Sequence, residues 1–232
     1  MKISVLTGAG ISAESGIKTF RDSGGLWEDH DVMEVASIQG WHKNQSLVLD
    51  FYNKRRMQLK DVVPNLAHKA LAELDKYHDV TIITQNVDDL HERGGSKNII
   101  HLHGELNKVR SVATHRLVYD WDKDLQLGDM AEDGHQLRPH IVWFGEAVPM
   151  LDEAIPHIEN SDKLIIIGTS MQVYPAAGLC GYAKEQSEIY YCDLDPQPNH
   201  ELTRNKKLEI LKGPATEQVP LLVERIKKEG FS

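Results

Sequence analysis

Three kinds of polar group follow directly on apolar runs of this sequence. Gln85, Asn86 and Asp88 come straight after residues 80–84 (VTIIT), and His103 with Gly104 comes after residues 98–102 (NIIHL). Amide and carboxylate groups can hold a sugar or a carboxamide by hydrogen bonds, and an imidazole of near-neutral pKa can act as a general base, a role typically worth ~10²–10⁴-fold. In open α/β sheets ligands bind outside the carboxyl ends of the strands, so groups emerging from two such ends can converge on one crevice. His101, two residues before His103 on the same run, is the control and is expected to face away from the site.

The elements that must position these groups can be read along the chain. Residues 3–7 form a short apolar strand, and Gly8-Ala9-Gly10-Ile11-Ser12-Ala13 matches the G-x-G-x-x-G/A turn that lets backbone amides approach a pyrophosphate. A glycine-rich turn that binds nothing accounts for these residues equally well. The acid that such a fingerprint wants at the end of a second strand is missing, so the adenosine end of a dinucleotide must be held differently from the dehydrogenase pattern. Residues 46–62 have helical character, with Tyr52 and Arg55 on one face, either a binding pair or a core-edge tyrosine beside a solvated basic patch. A second helix starts at Pro64-Asn65. Residues 105–140 are polar and irregular, the place for an inserted module, and their His115 and His135 make a poor metal site without cysteines. Further strands are expected at 141–144, 163–167, 189–192 and 208–211, with a terminal helix from Thr216. Strands alternating with helical segments predict an α/β fold with a parallel sheet.

Composition narrows the function classes. The 232 residues allow one large domain, or a large domain with a smaller inserted one. Lys plus Arg number 26 against 35 Asp plus Glu, a formal charge of −9, which argues against a nucleic-acid partner. Cys180 and Cys192 are the only cysteines, without zinc-ligand spacing and best read as buried thiols. No apolar run approaches the roughly 20 residues of a membrane span, and the chain opens on KISVLTGAG without a signal-type leader. The expectation is a soluble, cytoplasmic protein, not membrane-bound, with a monomer as the default.

Five blocks, GAGISAESGIKTFR (8–21), TQNVDDLHERGG (84–95), HLHGEL (101–106), VWFGE (142–146) and GTSMQVYPAAGL (168–179), resemble the sirtuins in the family's order. The resemblance implies a Rossmann-like large domain, approximately residues 1–16, 61–104 and 141–232, and a small domain, approximately 17–60 and 105–140. It implies NAD-dependent removal of acyl groups from protein lysine, with NAD as co-substrate and nicotinamide and O-acyl-ADP-ribose as products. Carried over, Gly8, Ala9, Gly10, Phe20 and Arg21 would line the NAD path, and Gln85, Asn86 and Asp88 would hold ribose and carboxamide. His103 would be the base; Gly168, Thr169 and Ser170 would contact phosphate and ribose; Asp193 and Ala215 would lie near the adenosine. Val142, Trp143, Phe144 and Gly145 would receive the acyl-lysine, pairing with its backbone as an added strand.

The Y-x-x-R pair Tyr52 and Arg55, with Ala36 as a small residue widening the pocket, resembles the subgroup that accepts succinyl and malonyl groups. An arginine can fork a carboxylate, and charge-assisted bonds are roughly twice as strong as neutral ones. Two departures stand out. The two Cys-x-x-Cys pairs that give most sirtuins a structural zinc are missing, which predicts a metal-free module with Val112, Leu117, Tyr119, Trp121 and Leu125 as replacement core. Asp193 stands where the family usually has asparagine, and its charge should disfavour a 2′-phosphate. The competing readings are ADP-ribosyl transfer or NAD hydrolysis, and a non-catalytic NAD- or acyl-lysine-binding module; a dehydrogenase is a distant third.

Overall fold

The computed structural model describes residues 1–18, 26–27 and 30–229, with the backbone alone at 26–27. The chain begins with β1 (Lys2–Thr7), the single turn α1 (Gly10–Ala13) and a short antiparallel pair, β2 (Leu26–Trp27) with β3 (His30–Asp31). Helices α2 (Val32–Val35), α3 (Ile38–Lys43), α4 (Gln45–Asp61) and α5 (Leu66–Leu74) follow. Then come β4 (Asp79–Thr84), α6 (Leu90–Gly94), β5 (Ile99–His101), β6 (Gly104–Ser111), β7 (Val118–Asp120) and β8 (Leu137–Ile141). The last part holds α7 (Leu151–Glu159), β9 (Lys163–Ile167), a 3₁₀ helix (Ala176–Tyr182), β10 (Glu188–Asp193), α8 (His200–Thr203), β11 (Leu208–Lys212) and α9 (Ala215–Glu229).

Six strands make one parallel sheet in the order β11-β10-β9-β1-β4-β5. The central strands β1, β4 and β9 are short, rich in β-branched residues and buried on both sides, as an α/β sheet covered by helices requires, whereas the edge strand β11 is largely exposed. Period-two alternation divides their side chains between two cores. Ile3, Val5, Ile82, Ile165, Ile167 and Cys192 pack with α5 and α9, whereas Leu6, Ile83, Leu164, Ile166 and Tyr191 pack with α7, the 3₁₀ helix and α8. Each fully buried aliphatic side chain stabilises the sheet by ~1.5–3 kcal/mol. The chain leaves β1 toward β4 and β5 on one side and later fills β9, β10 and β11 on the other, so the order reverses between β1 and β9. Ligands of open α/β sheets bind at that switch point.

A three-stranded antiparallel sheet, β7-β6-β8, shares a third core with α2, α3 and α4. This corrects two expectations. Residues 105–140 contain β7 and most of β6 and β8, joined by the expected irregular segments at 112–117 and 121–136, and the expected strand at 141–144 ends as β8 at Ile141, after which Trp143 is buried and Phe144 exposed. Of the expected replacement core, Leu125 is buried and Tyr119 and Trp121 pack against that core, but Val112 is exposed.

Polar side chains complete the module. The Asn53 amide pairs with the backbone of Leu125 in both directions, donating to its carbonyl at 3.0 Å and accepting from its N–H at 2.9 Å. Arg56, one turn along α4 from Tyr52, donates to the Leu106 carbonyl at 2.9 Å and to that of Lys123 at 3.3 Å. The Gln136 amide nitrogen donates to the carbonyls of Gln126, Asp129 and Leu137, while its oxygen accepts from Gly128 N–H. At the base, Glu146 accepts from Arg138 through both oxygens at 2.7 and 2.9 Å, from Arg110 at 3.3 Å and from the Trp143 N–H at 2.8 Å. The Arg138 guanidinium also lies 3.4 Å from the Trp143 ring centroid. Both cysteines lie elsewhere, buried in the main sheet and the 3₁₀ helix, and burial pushes their thiols up to about 11 for Cys180 and about 12 for Cys192.

Candidate active site

The loops after β1 and β9 are stitched together at the switch point. Gly8 N–H donates to the Ile167 carbonyl at 3.0 Å and Gly10 N–H to that of Gly168 at 2.8 Å. A Cβ on Gly10 would stand 2.6 Å from Gly168 Cα, and one on Gly168, where φ is +61°, would stand 2.3 Å from Ile11 N. These glycines therefore serve the contact between two loops, with bare backbone as the floor of the cleft. The pyrophosphate reading of the turn is narrowed accordingly: α1 has four residues, and the Gly10, Ile11 and Ser12 amides already have backbone acceptors.

At the end of β4 a relay of hydroxyls fixes the polar groups. Asn86 Nδ2 donates to Ser12 Oγ at 3.1 Å, and Ser12 Oγ donates to Asp88 Oδ2 at 3.0 Å, while Asp88 Oδ1 accepts from Leu90 N–H at 3.1 Å. Burial raises the Asp88 carboxyl above its usual range, opposed by the Leu90 and Ser12 bonds. Gln85 reaches the other way, its Nε2 donating to Thr169 Oγ1 at 3.0 Å. Below them Thr7 Oγ1 donates to Thr84 Oγ1 at 2.8 Å and lies 3.0 Å from His91 Nε2. Ser12, Thr7, Thr84 and His91 were not among the expected site residues. Ser12 alone had a sequence signal, lying inside the glycine turn; the other three look like ordinary strand and helix residues.

His103 follows β5, and its Nδ1 lies 3.0 Å from the Gln85 carbonyl oxygen. A carbonyl only accepts, so Nδ1 carries the proton and Nε2 is left as the basic atom. Burial lowers the His103 pKa and the Gln85 bond raises it, with a net shift downward. His101 turns elsewhere, with Nδ1 3.2 Å from the Asn86 carbonyl oxygen and Nε2 2.7 Å from Glu92 Oε1. Glu92, His101 and Glu105 bring their polar atoms within 4.8 Å of one another, an arrangement of ion pairs in which Glu105 also meets Lys108 at 2.9 Å.

The expected acyl-lysine residues meet beside His103. Val142 N–H donates to the His103 carbonyl at 2.9 Å and Phe144 N–H to that of Ala36 at 2.8 Å. Tyr52 is fully buried, and its hydroxyl accepts from Trp143 Nε1 at 2.9 Å. Arg55, one turn further on α4, is 6 % exposed, with its guanidinium 5.9 Å from the Phe51 ring centroid. The amides of 142, 143 and 144 are all engaged within the chain, donating to the His103 carbonyl, Glu146 Oε2 and the Ala36 carbonyl. Thr169 is buried and Ser170 half-buried after β9; Asp193, the last residue of β10, and Ala215, the first of α9, are buried. Phe20 and Arg21 fall outside the described residues. No helix among the described residues is long and apolar enough to cross a membrane.

Comparison with known proteins agrees with this arrangement. The Sir2 family model matches residues 8–175. An NAD-dependent protein deacylase of Helicobacter pylori (strain ATCC 700392 / 26695) is 67 % identical over 196 residues, 84 % of this chain and 86 % of that protein. One from Bacteroides thetaiotaomicron is 50 % identical over 221 residues, 93 % of each. Among solved structures, a complex of a Sir2 homologue with NAD superposes with a TM-score of 0.86 at 38 % identity, covering 98 % of this chain and 90 % of that one. A Sir2 mutant bound to a p53 peptide and NAD superposes with a TM-score of 0.74 at 28 % identity, covering 99 % and 93 %. With its doubly covered parallel sheet, its smaller antiparallel module and a family match over most of its length, the chain belongs to the Sir2 family.

Proposed function

We infer that the chain is an NAD-dependent deacylase of protein lysine side chains. The observation that carries this reading is His103: its tautomer is fixed by Gln85, its basic Nε2 is left available, and its own carbonyl is bonded to the segment that would receive the acyl-lysine. The residues at the switch point suit a dinucleotide, with a backbone floor that no Cβ can fill and the Asn86, Ser12 and Asp88 relay at one end. The bound dinucleotide would supply a ribose that accepts the acyl group as nicotinamide leaves. Asn86, oriented through Ser12, would hold the carboxamide side, and Asp88, desolvated but fixed by two donors, would keep that orientation without competing for bulk water. His103 Nε2 would take a proton from a ribose hydroxyl. Gly168, Thr169 and Ser170 would contact phosphate and ribose, and Asp193 and Ala215 the adenosine end. The boundary between the two domains would fall near residues 16, 60, 104 and 140.

The finer reading concerns the acyl group. Tyr52 and Arg55 lie three residues apart on α4, Tyr52 accepting from Trp143 Nε1 and the Arg55 guanidinium lying over the Phe51 ring. A buried guanidinium there suits a carboxylate-bearing acyl chain, succinyl or malonyl. Acetyl-, malonyl-, succinyl- and glutaryl-lysine peptides of one sequence, incubated with NAD, should yield free peptide and O-acyl-ADP-ribose. NAD loss without O-acyl-ADP-ribose would favour hydrolysis instead, and binding without turnover would favour a non-catalytic module. Arg55→Met should lower desuccinylation more than tenfold while sparing deacetylation; unchanged desuccinylation would remove Arg55 from the assignment.

A further inference from the structure

His101 is not needed for the chemistry assigned to His103, yet its ring is tightly partnered. Nδ1 faces the Asn86 carbonyl oxygen at 3.2 Å and Nε2 faces Glu92 Oε1 at 2.7 Å. Both partners are acceptors, and a neutral imidazole has one N–H, so satisfying both requires the imidazolium form. Asn86 is thereby held at three points: its N–H donates to Thr84 Oγ1 at 3.0 Å, its side-chain amide donates to Ser12 Oγ at 3.1 Å, and its carbonyl accepts from His101. We propose that protonated His101, clamped by Glu92 of α6, is a positioning residue that fixes the Asn86 peptide for NAD binding, and that loss of its proton sets an alkaline limit on NAD use.

The groups around the ring support a proton there. Glu92 and His91 face it from α6, Glu105 with its partner Lys108 from β6, and Asp88 from the loop after β4. Burial alone would push His101 down, but the bond and charge of Glu92, with Glu105, turn the net shift upward. The sign follows from linkage: the doubly donating state is complete below the ordinary histidine range and is lost as pH rises through the raised value. The proton that remains should stay with Glu92, because the charge-assisted bond is the stronger one. The Nδ1 lone pair then faces the Asn86 carbonyl, and attraction becomes repulsion. Glu92→Gln removes this dependence, since a glutamine amide can donate to Nε2 and leave Nδ1–H on Asn86 at every pH.

The proposal rests on the deacylase reading for its consequence in turnover, but its test can be read without turnover. Long-range ¹H–¹⁵N correlation on histidine-labelled protein should show both His101 nitrogens protonated at pH 6, with one proton lost only above the ordinary histidine range. A single neutral tautomer at pH 6 would overturn the proposal. Calorimetric NAD binding between pH 6 and 10 should weaken about tenfold through that ionisation in the wild type, the effect of one charge-assisted hydrogen bond. With acyl-peptide present, the same fall should appear in kcat/KM for NAD, through KM rather than kcat. In Glu92→Gln the alkaline fall should vanish while affinity at pH 6.5 stays within twofold of wild type; an unchanged fall rules out the clamp. Absence of deacylation with this binding profile intact would sink the catalytic reading and leave the positioning role standing.

Discussion

Glu146→Gln tests what holds the small module together. The Glu146 side chain is 15 % exposed and those of Arg110 and Arg138 are 4 % each, so solvent screens the pairs little. Glutamine keeps the shape but leaves two buried guanidinium groups without a counter-charge and turns an N–H toward a donor. Breaking a buried pair in this way costs ~3–5 kcal/mol, and for a chain of this size each kcal/mol moves Tm by about 2–4 °C, so the expected loss is about 6–20 °C at neutral pH. Burial alone would raise the Glu146 pKa, but Arg138 and Arg110 turn its net shift downward. The stabilisation is therefore present above the ordinary carboxyl range and lost as pH falls through the lower native value, and the gap between wild type and variant should close in acid. Thermal denaturation of untagged protein, with and without EDTA, measures both effects. A Tm change below about 2 °C in the variant, or an equal loss caused by EDTA in the wild type, would refute the view that these side chains do the bracing.

Three further outcomes follow from the geometry. Asn53→Ala should cost about 1–3 kcal/mol by stranding both backbone groups of Leu125, visible as a lower urea midpoint at unchanged slope. Gly168→Ala should weaken NAD binding and lower stability together, because its Cβ meets backbone at Ile11; calorimetry showing wild-type affinity would contradict the loop-contact account. His103→Ala should lower kcat by about 10²–10⁴ with peptide binding retained. The acid limb of kcat in the wild type should lie below the ordinary histidine range, since burial depresses the His103 pKa and the base must be neutral to act.

The main sheet was legible because its strands are continuous β-branched runs that end abruptly in glycine or polar residues, as at Thr84-Gln85 and Ile167-Gly168. The small sheet was not, for physical reasons. Its strand β6 carries a register shift between Gly104 and Val109, which breaks the alternation that betrays a strand. Arg110 and Arg138 point into its base, and a sequence cannot distinguish an arginine paired in the interior from one in water. Pro139 within β8 also argues against a strand. The expectation for Val112 failed for the complementary reason, an apolar residue at an exposed turn. At the site, side chains emerging from strand ends could be anticipated, whereas the hydroxyls of Thr7 and Thr84 could not, and Ser12 was marked only by its place in the glycine turn.

The contact between the first glycine turn and Gly168 has an evolutionary consequence. Gly10 and Gly168 oppose backbone atoms, so no smaller neighbour could make room for a side chain at either, and a second substitution nearby could not rescue the first. Mutational paths through these positions are closed from both sides. Any change in the shape of this floor must instead come from neighbouring positions that already carry side chains, since neither glycine can accept one alone.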